Sequence, residues 1–227
     1  MALLGQGALA MWWDMAPAHR TEFEDWHTHE HFPERMAIPG FLRGSRWADA
    51  DGGEGFFILY EMETYGTLVS PGYLASLNAP SPWSTKMMPH HRNMVRSQCR
   101  VLESRGGALS RHALTVRLAP VPGREDELRA NLRELAHALA MRPGTSAGHL
   151  LQTETPQIAA TTEQKIRGGA DGAADWIFIA CGYDRAALAD LAAAELGEEG
   201  LAKCGARAGT VRGLYTLSHS NTAADVA

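Results

Sequence analysis

Few cysteines, no long apolar run and no surplus of positive charge set the first limits on this chain. Its three cysteines, Cys99, Cys181 and Cys204, lie far apart and form no C-x-x-C pair. That pattern excludes a disulfide frame and a cysteine-rich zinc site, and it predicts free thiols in a reducing compartment. No apolar stretch is long enough to span a bilayer, and residues 1–17 (MALLGQGALAMWWDMAP) lack the charged start of a signal peptide. A cytoplasmic protein with no membrane partner is the expectation. Acids outnumber Lys and Arg by 26 to 21, giving a net charge of −5. With its arginines scattered, the chain offers no basic field for nucleic acid. G-x-S-x-G, P-loop and Rossmann fingerprints are absent too, and the glycines at 168, 169 and 172 do not follow a strand and open a helix. Hydrolase-triad, nucleotide and NAD readings are weakened accordingly.

What is present is enough apolar material for a sizeable core, at 45% of 227 residues. A chain of this length makes one large domain or two of about 110 residues each. Local patterns favour two, with the same order in each. In the first half, residues 7–15 read as a strand buried on both faces, 21–31 as a helix, 41–48 and 55–63 as strands, 73–78 as a helix and 94–104 as a strand. Pro33 restricts Phe32, so the first helix is expected to stop or kink there. In the second half, residues 109–120 are a strand and 124–142 a helix with Leu128, Leu132, Leu135 and Leu139 on one face. Strands at 149–154 and 176–183, a helix at 185–196 and a strand at 210–218 follow. Pro143-Gly144 closes the second long helix as Pro39-Gly40 closes the first. The reading is an internal duplication of a βαββαβ unit, with halves at 1–106 and 107–227. A Gly/Ala/Thr-rich insert at 156–174 reads as a flexible loop or lid in a mainly structural second half.

The densest mixture of titratable and aromatic side chains falls at residues 21–40, TEFEDWHTHEHFPERMAIPG. On a helix, Phe23, His27, Glu30 and His31 share one stripe, and Asp25 and His29 another. An acid beside two imidazoles on a half-apolar stripe suits proton transfer, because burial and a carboxylate neighbour move a histidine's pKa in opposite directions. The alternative is a polar helix face with solvated histidines. Candidate catalytic residues are therefore His31, His27 and Glu30. Trp26, Phe23, Asp14, Tyr60, Tyr65 and Tyr73 are candidate substrate-binding groups, orienting a substrate or donating to a developing oxyanion. His27 and His31 have the i, i+4 spacing of a helical metal pair but lack the Glu of H-E-x-x-H. A third ligand would have to be Glu30, His90 or His91, and no metal is expected. His90, His91, His149 and His219 are loose axial candidates for haem, but no haem signature accompanies them and no cofactor is expected. His90-His91 reads as a surface loop.

A twice-repeated βαββαβ order is ferredoxin-like, and it resembles the dimeric α+β barrel superfamily in fused, tandem form. Trp26-His27, His31-Phe32-Pro33 and Pro39-Gly40-Phe41 resemble the aromatic pair, His-Pro and Pro-Gly positions of EthD-like and antibiotic-biosynthesis-monooxygenase-like members. His27 departs from that pattern, standing where a second aromatic is frequent. The resemblance implies an α+β pseudo-dimer with helices outside facing sheets and small-molecule pockets between sheet and helices. Members of that superfamily include cofactor-free monooxygenases, isomerases, lyases and haem enzymes, so fold alone selects no reaction. The expectation is a lyase or isomerase using His/Glu acid–base catalysis on a compact, partly apolar substrate. A cofactor-free monooxygenase, a haem or metal enzyme, and a non-enzymatic ligand-binding barrel stay open, as does a homodimer.

Overall fold

The computed structural model describes residues 3–107, 109–156, 158–168 and 171–226. Positions 157, 169 and 170, part of the expected insert, lie outside these residues, as do the extreme ends and position 108. The first pass along the chain is β1 (Gly7–Asp14), α1 (Pro17–Trp26), a π-helical turn (His27–His31), α2 (Phe32–Met36), β2 (Phe41–Asp49) and β3 (Gly55–Met62). It ends with α3 (Pro71–Asn78), α4 (Pro82–Met87) and β4 (Arg92–Gly106). The second pass is β5 (His112–Leu118), α5 (Glu125–Leu139), β6 (Thr145–Thr153), α6 (Thr162–Ile166), β7 (Trp176–Gly182), α7 (Arg185–Ala193), α8 (Glu198–Cys204) and β8 (Val211–Thr222). Hydrogen bonds order the strands of the first pass β2-β3-β1-β4 and those of the second β6-β7-β5-β8. This is the expected α+β class of two tandem ferredoxin-like units. Among the described residues no helix is long and apolar enough to cross a membrane.

The compact units do not divide at residue 106. One comprises Leu4–Arg100, Glu154–Ala173 and Ser218–Ala227, and the other Met1–Leu3, Val101–Thr153 and Ala174–Leu217. The long strands β4 and β8 each begin in one unit and end in the other. Residues 154–173, which the sequence groups with the second half, belong to the unit built on the first. They carry α6, whose N-cap Thr161 forms a capping box with Gln164.

In the unit built on the first half, alternation along each strand sends side chains to two faces. Leu9, Met11 and Trp13 of β1 sit opposite Tyr60, Ile58 and Phe56 of β3. These six pack with Phe23, Trp26 and Phe32 into one apolar cluster beneath the helices. On the other face Phe57 stacks with Trp12 at 5.1 Å and with Trp47 at 5.2 Å, so β1 is buried on both sides as its composition predicts. In the other unit α5 buries Leu128, Leu132, Ala136 and Leu139 against Leu114, Phe178 and Leu150. Leu135 is partly buried and packs against the same cluster, and Gly148 of β6 comes so close to the helix that an added Cβ would meet the Ala136 Cα at 2.7 Å.

The first helix differs from expectation in an informative way. It does not stop at Pro33 but runs on to Met36, and it widens just before the proline. Phe32 N–H donates to the His27 carbonyl, five residues back. Proline has no N–H for the i−4 carbonyl, and its ring crowds that carbonyl in a regular helix. A single π turn relieves both problems. Arg46 of β2 fastens the widened segment, donating to the Glu24 carbonyl (3.2 Å), Thr28 Oγ1 (3.2 Å) and Ser218 Oγ (3.3 Å). The rod lies tightly on the sheet because position 44 has no side chain. A Cβ there would stand 2.5 Å from Phe32 Cε1 and 2.9 Å from Tyr60 Cε1. Gly44→Ala should therefore destabilise the fold by about 1–3 kcal/mol, the usual range for overpacking, as read by urea unfolding. A change under about 0.5 kcal/mol would show that the rod is not seated on that strand as described.

Candidate functional site

Two aromatic rings from the sheet and two from the helical layer enclose the polar groups of interest. Trp13 and Tyr60 come from β1 and β3, Trp26 from the end of α1, and Tyr73 from α3. They line a pocket with a cavity volume of about 40 Å³, together with His27, His31, Arg35, His91, Arg96, Glu163 and Arg167. Every lining residue belongs to the unit built on the first half. Aliphatic and thioether side chains such as Leu9, Met11, Met88 and Met94 fill the remaining wall.

The π turn brings His27 and His31 into a stack, with ring centroids 5.4 Å apart at 27°. His27 is 1% exposed and His31 8%. His27 meets Trp13 edge-on at 5.9 Å and Phe32 at 4.3 Å, while His31 lies 4.5 Å from Trp26. Among the described residues the Nδ1 atoms of both histidines are buried without a hydrogen-bond partner, as are Trp13 Nε1 and the Tyr60 hydroxyl, and Glu34 Oε2 stands 3.9 Å from His31 Nδ1. Buried polar atoms are nearly always satisfied in a folded chain. The four unsatisfied atoms belong to residues that line one pocket and are available to a ligand or to water.

Electrostatics follow from burial. Desolvation first, then the positive charge of Arg46 and the neighbouring imidazoles, holds His27 well below the ordinary histidine range. His31 is lowered likewise by burial, then by Arg35, His91 and Arg167. The His91 ring lies 4.7 Å from Trp13, and its Nδ1–H donates to the Met88 carbonyl at 3.0 Å, leaving Nε2 with the lone pair. Its residue is only partly buried, but the ring is the enclosed part. Burial, partly opposed by that carbonyl, brings its pKa down to about 3. Burial also raises the Tyr60 phenol above its ordinary value, so it stays a proton donor. Arg35 Nη2 donates to Glu163 Oε1 at 2.5 Å, and both side chains are almost wholly buried. Burial works against the charge on Arg35, but Glu163, with Tyr73 and Tyr60, more than offsets it.

Of the residues singled out from the sequence, Trp26, His27, His31, Tyr60 and Tyr73 are brought together. Glu30 does not face His31. Its carboxylate accepts from Trp26 Nε1 (3.1 Å), Ser81 Oγ (2.5 Å) and Ser84 Oγ (3.4 Å), because the wide turn rotates it away from the imidazole stack. Phe23 stands behind His27 at 5.2 Å rather than on the pocket wall. Asp14 accepts from Asn93 Nδ2 at 2.7 Å near the surface, and the Tyr65 hydroxyl donates to the Glu154 carbonyl. Neither lines the pocket. His91, read as a surface-loop residue, is instead turned inward against Trp13, Phe23 and Trp26. Arg35, Arg96, Glu163 and Arg167 carried no local signal. Only the stretch around His31 hinted at Arg35, whose position on the same rod follows from helical spacing. Among the described residues no three His, Cys, Asp or Glu side chains are grouped to hold a metal ion.

The fold, two ferredoxin-like units in one chain, is shared with solved structures of low sequence identity. The chain resembles a structure described as an anthrone oxidase-like protein at 14% identity and TM-score 0.67, covering 98% of this chain and 95% of that one. A candidate monooxygenase of Fusobacterium nucleatum matches at 10% identity and TM-score 0.62, covering 97% and 96%. Another from Lactobacillus acidophilus matches at 10% identity and TM-score 0.59, covering 96% and 97%. No protein-family model matches the chain, and no curated sequence is similar to it.

The lowered histidine pKa values make a stability prediction. Above the unfolded-state histidine pKa of about 6.5, folded and unfolded chains bind the same number of protons at these sites. As pH falls below that value, the unfolded chain takes up protons that the buried rings refuse. Each ring then costs up to about 1.4 kcal/mol of stability per pH unit until its folded pKa is reached. The unfolding midpoint should fall steadily from pH 6.5 to 4, and His91→Gln should remove about one proton from that slope. A midpoint independent of pH over this window would rule out buried neutral histidines.

Proposed function

We propose that this pocket is the active site of a small-molecule enzyme that begins by removing a proton from a compact, partly aromatic substrate. The observation that carries this reading is that His27, His31 and Tyr60, each with a buried polar atom lacking a hydrogen-bond partner among the described residues, line one pocket, Glu34 Oε2 standing 3.9 Å from His31 Nδ1. His31, the less buried of the stacked pair, is the general base. It is neutral before the reaction and becomes an imidazolium as the substrate becomes an anion. In a desolvated site the two opposite charges are created side by side, so each offsets the other's cost. Tyr60, kept protonated, donates to the oxygen on which the substrate's negative charge collects. His27 supports His31 through the ring stack. Trp13, Trp26 and Tyr73 present flat faces to an aromatic or enolised substrate.

Two fates of that anion divide the candidate reactions. Reprotonation or loss of a leaving group would make the protein an isomerase or lyase. Reaction with dioxygen would make it a cofactor-free monooxygenase, in which a methylene beside an aromatic ring becomes a carbonyl and the second oxygen atom leaves as water. The likeness to structures described as monooxygenases and as anthrone oxidase-like favours the second, and the aromatic rings on the pocket wall suit a flat substrate.

The test is to incubate the purified protein with anthrone-type and phenolic substrates while following oxygen uptake and products. One mole of oxygen consumed per mole of ketone formed supports oxygenation, and turnover without oxygen uptake selects the isomerase or lyase branch. His31→Ala should lower turnover by about 10²–10⁴-fold, and Tyr60→Phe by about 10²–10³-fold. Glu30→Gln should leave the pH profile in place, since its carboxylate serves Trp26 and the serines. The exposed His29 should tolerate Ala. Full activity in His31→Ala would discard the proposed base.

A further inference from the structure

Charge on the pocket wall does not balance. Arg35, Arg96 and Arg167 all line it. Glu163 is 2.5 Å from Arg35 and 3.8 Å from Arg167, and Asp171 is 3.0 Å from Arg167. Three guanidinium groups against two carboxylates leave one positive charge over. Arg96 is the group without an acid, since among the described residues its side chain donates only to the Tyr73 hydroxyl, at 3.0 Å. The Arg167 side chain is 9% exposed, yet its Nε–H is buried and among the described residues finds no acceptor. Two cationic donors with unused capacity thus face one cavity.

They are held on neighbouring backbones. Arg96 N donates to the Gly172 carbonyl at 2.8 Å and Gly172 N donates to the Met94 carbonyl at 2.9 Å. The segment that carries Arg167 is thereby fastened alongside the strand that carries Arg96. At its other end Thr162 N donates to Asn78 Oδ1 at 3.0 Å. Glu163 and Arg167 of this segment are therefore part of the pocket wall, contributing a carboxylate and a guanidinium to it.

We infer that the ligand of this pocket carries a single carboxylate, received by Arg96 and Arg167, on a flat apolar body that rests against Trp13, Trp26 and the Leu/Met wall. This rests on the reading of the pocket as the substrate site. A carboxylate matches the planar guanidinium fork, and its one negative charge is the one the wall lacks. A phosphate dianion would bring a second negative charge towards Glu163 and Asp171. The buried histidines, being neutral, add no charge to the count.

The experiment is a binding titration of the full chain with 2-naphthoate and with its neutral isostere 2-naphthamide, followed by tryptophan fluorescence and calorimetry. The acid should bind at least about 10-fold more tightly than the amide, as a charge-assisted hydrogen bond allows. Arg96→Gln and Arg167→Gln should each weaken the acid by about 10-fold and leave the amide within about 2-fold. Glu163→Gln, which removes a competing acid, should tighten the acid. Equal affinities in the unaltered protein, no binding of the acid, or acid binding that survives both arginine substitutions would overturn the inference. The comparison in the unaltered protein stands even where a variant fails to fold. His31→Ala separates this inference from the catalytic reading. Acid preference kept in that variant with turnover unchanged sinks the base alone. His31-dependent turnover confined to neutral substrates sinks the carboxylate alone.

Discussion

A proline inside a helix is the constraint on which the site depends. At Pro33 the His29 carbonyl loses its usual N–H partner, and the proline ring needs room. The chain meets both demands by widening one turn, His27–His31, instead of ending the helix. Arg46 then satisfies carbonyl and hydroxyl groups along that flank and lies 5.7 Å from the Phe23 ring. Burial lowers the pKa of Arg46 to about 10, which still leaves it cationic at neutral pH. The same widening stacks two imidazoles over the pocket and turns Glu30 away to Trp26 and two serines. Without it the acid and the bases would share a face, and the site would be a charged cluster instead of a set of neutral bases.

Neutral bases and retained cations are the electrical signature of this pocket. Desolvation penalises every charge in it, but the groups respond according to their partners. Among the described residues these histidines have no acid within hydrogen-bonding distance, Glu34 Oε2 standing 3.9 Å from His31 Nδ1, and they give up their protons. Arg35 has Glu163, and keeps its charge. A buried ion pair of this kind adds little net stability, because desolvation of both ions offsets most of their attraction. Its value here is placement. It ties α6 to the helical rod and fixes where the Arg167 guanidinium stands.

Much of the fold was legible because it rests on local periodicity. The apolar runs at residues 7–15 and 55–63, the Leu128-Leu132-Leu139 face, and the paired Pro39-Gly40 and Pro143-Gly144 turns each report local geometry. Gly40 and Gly144 both adopt positive φ, as such a turn requires of a residue without a side chain. The site was legible only in part. Trp26, His27 and His31 lie on one rod and could be grouped by helical spacing. Tyr60 and Tyr73 could be named as aromatics with a polar end, but so could Tyr65, which points elsewhere. Nothing in an isolated strand says which of its two faces will meet a helix.

By itself, the sequence determined the repeated βαββαβ order, the doubly buried first strand and the clustering of histidines beside Trp26, since all of these depend on residues close together in the chain. Only the tertiary structure decided that Glu163 and Arg167, more than 125 positions along from Arg35, complete the pocket begun there, that His91 turns inward, and that Glu30 does not serve His31. The reason is physical. Burial and pairing of charge are set by what the whole chain packs around a group, and neither is a property of the residue's neighbours in sequence.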